Sequence, residues 1–232
     1  MRALPLTLAA GVVLLTPSLL PAAVLPAPAR QRPVAWSEGA VTAAELLART
    51  RECAQISHGR FRPDDGAPAT VPVCGTDDAV FWTTDMDIDC DGRSGPHCNA
   101  DTDPMYSPTT SFTQSDGRYL DPENLPYIVV PGPGELWDHR TDGVHGGAVA
   151  AVVHGDRVQY AVVGDVGPPD IIGEASYATA AALGIPPDPR GGGAAADVTY
   201  IVFRDSAAKP VEDHAAAVAT GERLARLFTR GS

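Results

Sequence analysis

Gly164-Asp165-Val166-Gly167-Pro168-Pro169-Asp170-Ile171-Ile172-Gly173-Glu174-Ala175-Ser176-Tyr177 is the stretch that organises the rest of the chain. The residues before it, Val158–Gly164, read as a strand, so Asp165 arrives at a strand end. Gly167-Pro168-Pro169 then reverses the chain. The spacing predicts an Ala-rich helix over Glu174–Leu183, ended by Gly184 and Pro186-Pro187, with Glu174 held by the N–H donors of its first turn. Two carboxylates on either side of a turn can face one groove. Glycoside hydrolysis needs that arrangement, with one acid for the leaving oxygen and one base or nucleophile opposite. The same spacing also fits a plain reading, in which Glu174 favours the helix dipole and Asp165 caps the turn.

Outward from this stretch the pattern is mainly β. Gly147–His154 and Val158–Gly164 flank Gly155-Asp156-Arg157, a hairpin signal. Tyr127–Pro131, Ala79–Asp87 and Asp197–Phe203 are further strands. Helices are expected over Val41–Ile56, with Thr42 as cap, and over Val211–Arg230, with Leu224, Leu227 and Phe228 on the apolar side. Gly92–Leu125 is crowded with Gly, Pro, Asp, Ser and Thr and reads as a long loop. Short strands, few helices and long loops point to a small closed β-barrel with added helices.

The 29 acidic and 17 basic residues give a net charge of −12. That excludes an ordinary nucleic-acid binder and disfavours anionic lipid surfaces. Arg2 precedes an uncharged apolar run with small residues at Ala22-Ala23 and Ala27-Pro28-Ala29, the pattern of a secretory signal peptide. The expected organisation is a signal peptide over residues 1–29, a linker over 30–40 and one domain over 41–232. Outside the cytosol, four cysteines read as two disulfides. Cys53–Cys74 with Cys90–Cys98 closes the shortest loops and is the favoured pairing.

Asp85-Met86-Asp87-Ile88-Asp89-Cys90-Asp91-Gly92 places four carboxylates in alternation, so Asp85, Asp87, Asp89 and Asp91 can project to one side. Asp87 to Gly92 also fits the start of a calcium loop, but its twelfth position is Cys98 and its flanks are not helical. A solvated acidic loop, a nonstandard calcium site and a platform for a polycation stay open. His139 and His145 are expected in solvent. Tyr106, Tyr119 and Trp137 are candidates to line a sugar site. Ser176 lacks a nucleophile-elbow context, and Gly191-Gly192-Gly193 lacks that of a phosphate loop.

Taken together these stretches resemble the chitosanases of glycoside hydrolase family 75. The resemblance runs through Val80-Phe81-Trp82, the Asp85–Gly92 run, Cys98-Asn99, Leu125–Pro131, Ala150–Val153, Gly164–Pro168, Ile172–Ala178, Leu183–Ile185 and Thr199–Phe203. It implies endo-hydrolysis of β-1,4 links in chitosan by inversion, with Asp165 and Glu174 as the two acids. The acidic run then suits a cationic polymer. Glu174 is favoured as general acid and Asp165 as base, although Pro168 and Pro169 deny Asp165 nearby N–H donors. The Asp-x-Gly-Pro turn is also similar to the six-stranded double-psi β-barrels of rare lipoprotein A, expansins and family 45 cellulases. Those relatives carry Ile-Asp-Leu-Ser where this chain has Gly173-Glu174-Ala175-Ser176. The alternative is therefore a non-hydrolytic or lytic cell-wall-binding barrel. The resemblance implies a secreted monomer, with chitosan as partner, no nucleic acid, no membrane after signal cleavage, no cofactor and no resident metal.

Overall fold

The computed structural model describes residues 37–231. The expected signal peptide and residues 30–36 of the expected linker lie outside them. Ser37 bridges Val158. The Glu38 carboxylate accepts from the Tyr160 N–H (2.9 Å) and the Gln159 amide (2.8 Å).

Helix α1 spans Ala43–Arg49, and strand β1 is Cys74–Gly75. Strands β2 (Ala79–Asp89), β3 (Tyr127–Pro131), β4 (Val149–His154), β5 (Arg157–Gly167) and β6 (Glu174–Ser176) follow. Helix α2 (Tyr177–Leu183), strand β7 (Ala194–Phe203) and helix α3 (His214–Arg230) complete the order. Six strands close in the order β2-β6-β3-β5-β4-β7, and β7 returns to β2. The β2–β6 and β3–β5 pairs are parallel, and the other four junctions are antiparallel. This is the double-psi β-barrel expected from the sequence.

Alternation sorts the strands into two cores. Val80, Trp82, Ile128, Val152, Val163 and Tyr200 fill the barrel, and Ala180, Leu183 and Ile185 close it around α2. Trp82 stacks on Tyr200 with ring centroids 5.3 Å apart. Phe81, Tyr127, Val153, Tyr160 and Phe203 form an outer layer with Leu46, Ala217, Ala225 and Phe228 of α1 and α3. Leu227, expected on the apolar side of α3, is half exposed. Both disulfides pair as favoured, Cys53 with Cys74 and Cys90 with Cys98.

Three helix boundaries differ from the expectation. Helix α3 starts at His214, behind its Asp213 cap, and not at Val211. Thr42 does cap α1, in a reciprocal box with Glu45. The helix stops at Arg49 because the following chain bonds elsewhere. Ile56 N–H donates to Val73, Gly75 N–H donates to Ala54, and Cys53 is cross-linked to Cys74. Glu174 does not open a helix. Asp87, Ile88 and Asp89 pair with Glu174, Ala175 and Ser176 as parallel strands. Ser176 then caps α2, accepting from Thr179 N–H. Long-range pairing outweighs the local helix propensity of Glu174-Ala175.

One irregularity aims the site. Ile128 pairs with Val163, but Val129 pairs with Asp165, so Gly164 is the extra residue of a β-bulge. Val163 faces the barrel interior, and two-residue alternation alone would send Asp165 inward too. The bulge puts Asp165 beside Val129, which belongs to the outer layer. Gly164 is tightly packed there. A Cβ on it would lie 2.6 Å from Tyr127 Cβ and 2.7 Å from Leu120 Cδ1. Gly164→Ala is expected to cost about 1–3 kcal/mol of overpacking. At about 2–4 °C per kcal/mol, a thermal melt should show Tm lower by several degrees.

Candidate active site

The register across three strand junctions builds the site. Asp165 on β5 lies opposite Val129 on β3. The antiparallel register pairing Ile128 with Ala175 sets Val129 opposite Glu174 on β6. Glu174 in turn lies opposite Asp87 on β2. The outer face therefore carries a lateral row, Asp165, Val129, Glu174, Asp87. Paired residues project to the same face, so the two sequence-chosen acids share one surface with a single valine between them.

A groove of about 400 Å³ runs over this row, lined by Asp89, Asp91, Val129, Asp165 and Glu174 among others. A second lobe of about 310 Å³ continues past Glu174 to Asp87 and to Asp188–Gly192. Glu174, Ile88, Asp103 and Met105 line both lobes. Glu174 thus stands where the lobes meet. Gly167, two residues past Asp165, makes room for it: a Cβ there would lie 2.9 Å from Glu174 Oε2.

Backbone donors hold Asp165. Its Oδ1 accepts from Ser111 N–H (2.8 Å) and from Val166 N–H (2.7 Å). The donors that Pro168 and Pro169 could not provide come instead from its neighbour and from the 92–125 loop. The same loop reaches Asp91, whose Oδ1 accepts from Ser107 N–H (2.7 Å). Asp89 Oδ1 accepts from Asp91 N–H (2.7 Å), and the buried Asp85 accepts from the Thr84 hydroxyl (2.7 Å). The four aspartates of the acidic run are therefore not equivalent. Asp87 is the most open, while Asp89 spends an oxygen on a local turn and Asp91 spends one on the 92–125 loop.

Burial, and then crowding, set the electrostatics. Glu174 is pushed up to about 7, first by loss of water in the groove and then by the charges of Asp87, Asp165, Asp91 and Asp85. Asp87 rises to about 7, through desolvation and then repulsion from Asp64 and Asp85. Asp85 and Asp91 each rise to about 6, burial being the largest cause in both. Asp89 is raised as well, mainly by burial. The isoleucines nearest Glu174 in sequence lie elsewhere: Ile172 is in the barrel core and Ile171 bridges Arg62. The apolar neighbours in the groove include Ile88, Met105, Val129, Val166 and Pro168.

Other candidates fall elsewhere. Trp137 is buried, edge-on to Trp82 at 6.3 Å, because its ring completes the barrel core. Its indole N–H donates to Asp142 (2.7 Å). His139, expected in solvent, is buried with Nδ1 2.8 Å from the Val144 carbonyl oxygen. His145 is exposed. The Tyr106 hydroxyl donates to the Gly92 carbonyl, and Tyr119 is partly exposed outside both lobes. Ser176 is a cap, and Gly191-Gly192 lies on the groove rim.

A calcium loop does not form over Asp87–Gly92, since β2 stays extended to Asp89. Asp64, Asp85 and Asp87 instead bring one carboxylate oxygen each within 4.8 Å of one another, an oxygen-only set suited to a hard cation or an ammonium group. Asp64 sits in the Pro63-Asp64-Asp65-Gly66 turn, whose only sequence signal is that of a turn. Asp103 and Met105 were hidden in the 92–125 loop.

A double-psi barrel with an acid-lined surface groove is the class that fold and site define. Residues 86–226 match the family described as fungal chitosanase of glycosyl hydrolase group 75, and the chain belongs to that family. It is 34% identical over 129 residues to Endo-chitosanase C of Aspergillus oryzae, covering 54% of this chain and 31% of that protein. A second Endo-chitosanase C of the same species is 33% identical over 133 residues, with 54% and 32% covered. The chain thus spans about a third of the length of the curated relatives it matches. No helix among the described residues is long and apolar enough to cross a membrane.

Carboxyl groups raised in the fold bind more protons there than in the unfolded chain. Between about 4.5 and 7 the stability therefore falls as pH rises. Thermal melts should give a higher Tm at the acid end of that window than at its neutral end, and Asp87→Asn should flatten the slope.

Proposed function

We propose that this protein is a secreted endo-chitosanase that hydrolyses β-1,4 links in the cationic glucosamine polymer with inversion at the anomeric carbon. The carrying observation is the lateral row in which Asp165 and Glu174 flank Val129. Adjacent strands lie about 4.8 Å apart, so β5 and β6 are separated by roughly 10 Å of sheet. That suits the separation of about 6.5–9.5 Å at which an inverting pair leaves room for a water.

In this reading Glu174 is the general acid. Its raised pKa keeps a proton on it into the neutral range, ready for the glycosidic oxygen. Asp165 is the general base. Its Oδ1 is committed to two backbone donors, and Oδ2 takes the proton of the attacking water. As the C1–O bond breaks, the electron pair leaves with the oxygen that Glu174 protonates. The water oxygen bonds to C1 from the opposite face. Proton exchange with solvent restores Glu174 and Asp165. Asp85, Asp87, Asp89 and Asp91 receive the ammonium groups of the sugar chain, and the negative groove speeds encounter with the polycation. The two disulfides fit an oxidising, extracellular location.

Product analysis with purified protein and chitosan tests this reading. Wild type should release short glucosamine oligomers with a rapid fall in viscosity. Glu174→Gln and Asp165→Asn should each lose at least about 100-fold in rate while keeping the far-UV circular dichroism of wild type. For wild type, kcat/KM should decline above about pH 7, where Glu174 loses its proton. Equal products from wild type and Glu174→Gln would remove the site. Binding without products, or a product carrying an anhydro ring, would favour the non-hydrolytic or lytic barrel.

A further inference from the structure

Sugar rings present flat C–H faces, and sugar sites commonly meet them with aromatic side chains. Among the described residues, no aromatic side chain lines either lobe of this groove. The apolar surface comes from Ile88, Val129, Val166 and Met105, with the rings of Pro168 and Pro189. The first three lie in or beside the sheet floor. Met105 differs from them: it is 85% exposed, the most exposed large hydrophobic residue described, and it lines both lobes.

The surroundings of Met105 hold it in place. Asp103, only 7% exposed, accepts from Met105 N–H through Oδ1 at 2.8 Å. The next two residues are also tied down: the Tyr106 hydroxyl donates to Gly92 (2.8 Å), and Ser107 N–H donates to Asp91 (2.7 Å). A fixed turn therefore presents an unbranched, polarizable apolar side chain to solvent beside the acid Glu174. Leaving such a side chain exposed costs apolar hydration unless a ligand covers it.

We propose that Met105 is a specificity-determining residue, the apolar face against which a glucosamine ring packs where the two lobes meet. The inference rests on the chitosanase reading of the groove. The ring's charged edge meets the floor carboxylates, and its C–H face meets the thioether. Asp103 acts through Met105 as a positioning residue by fixing the turn.

Contact with a ring face is made in the bound and transition states alike, so its loss should raise KM and leave kcat nearly constant. Met105→Ala is expected to raise KM for chitosan by about fivefold or more, from the lost apolar burial, with Tm unchanged. Met105→Leu should restore most of the affinity, and Met105→Gln, of similar length but polar, should not. Calorimetric titration of the glucosamine hexamer into Glu174→Gln and into Glu174→Gln/Met105→Ala should show the same loss in the absence of turnover. A KM and a hexamer affinity within twofold of the parent after Met105→Ala would overturn the proposal. So would a lowered Tm with no rescue by Met105→Leu. A wild-type protein that releases no oligomers would fail the chitosanase reading alone, since the hexamer titration decides Met105 separately.

Discussion

Charge repulsion on one face of a closed barrel is the constraint to which the rest of the site answers. Asp85, Asp87, Asp89, Asp91, Asp165 and Glu174 share the outer surface of β2, β6, β3 and β5 and its immediate continuation. Burial first, and then like charges at this spacing, raise the pKa values of Asp87 and Glu174 and oppose folding. The barrel tolerates them because its stability comes from elsewhere, from an apolar interior and a helix-covered outer layer. The crowding is relieved by protons or by a cation, and in the proposed function both routes serve chemistry on a cationic polymer. There a retained proton arms Glu174, and substrate ammonium groups neutralise the remaining carboxylates.

Geometry makes two of these acids different from the others. The bulge at Gly164 turns Asp165 out of the barrel, and the parallel pairing of β2 with β6 fixes Glu174 in the adjoining groove position. Val129 keeps them apart, Gly167 leaves space for the Glu174 carboxylate, and Ser111 anchors Asp165. None of these supports is itself acidic. Each is a small or backbone group that sets where a carboxylate sits. A site built on strands in this way is held more firmly than one carried on loops alone.

The parts legible in the sequence are those decided by local rules. Tyr127–Pro131 is an unbroken apolar run and is the strand expected. Gly155, with φ +61°, makes the β4–β5 hairpin where the turn signal placed it. Thr42 caps α1 through Glu45, and the cysteines pair consecutively along the chain, first with second and third with fourth. The two acids were visible as residue types at strand and turn boundaries, and the family resemblance singled them out.

The rest depends on contacts that no short window contains. Glu174-Ala175-Ser176 has helix propensity and is a strand because Asp87–Asp89 lies beside it. Asp165 receives its N–H donor from Ser111, 54 positions earlier. Trp137 looks like a sugar platform by composition and is core because Trp82 needs an edge-on neighbour. The central claim is that Asp165 and Glu174 act as a separated pair across Val129. The anomeric form of the first product tests it most directly, followed by proton NMR during the first minutes of chitosan hydrolysis. The α-anomer appearing first is the expected result. The β-anomer appearing first would mean retention and a nucleophile in contact with the sugar, and would contradict the account.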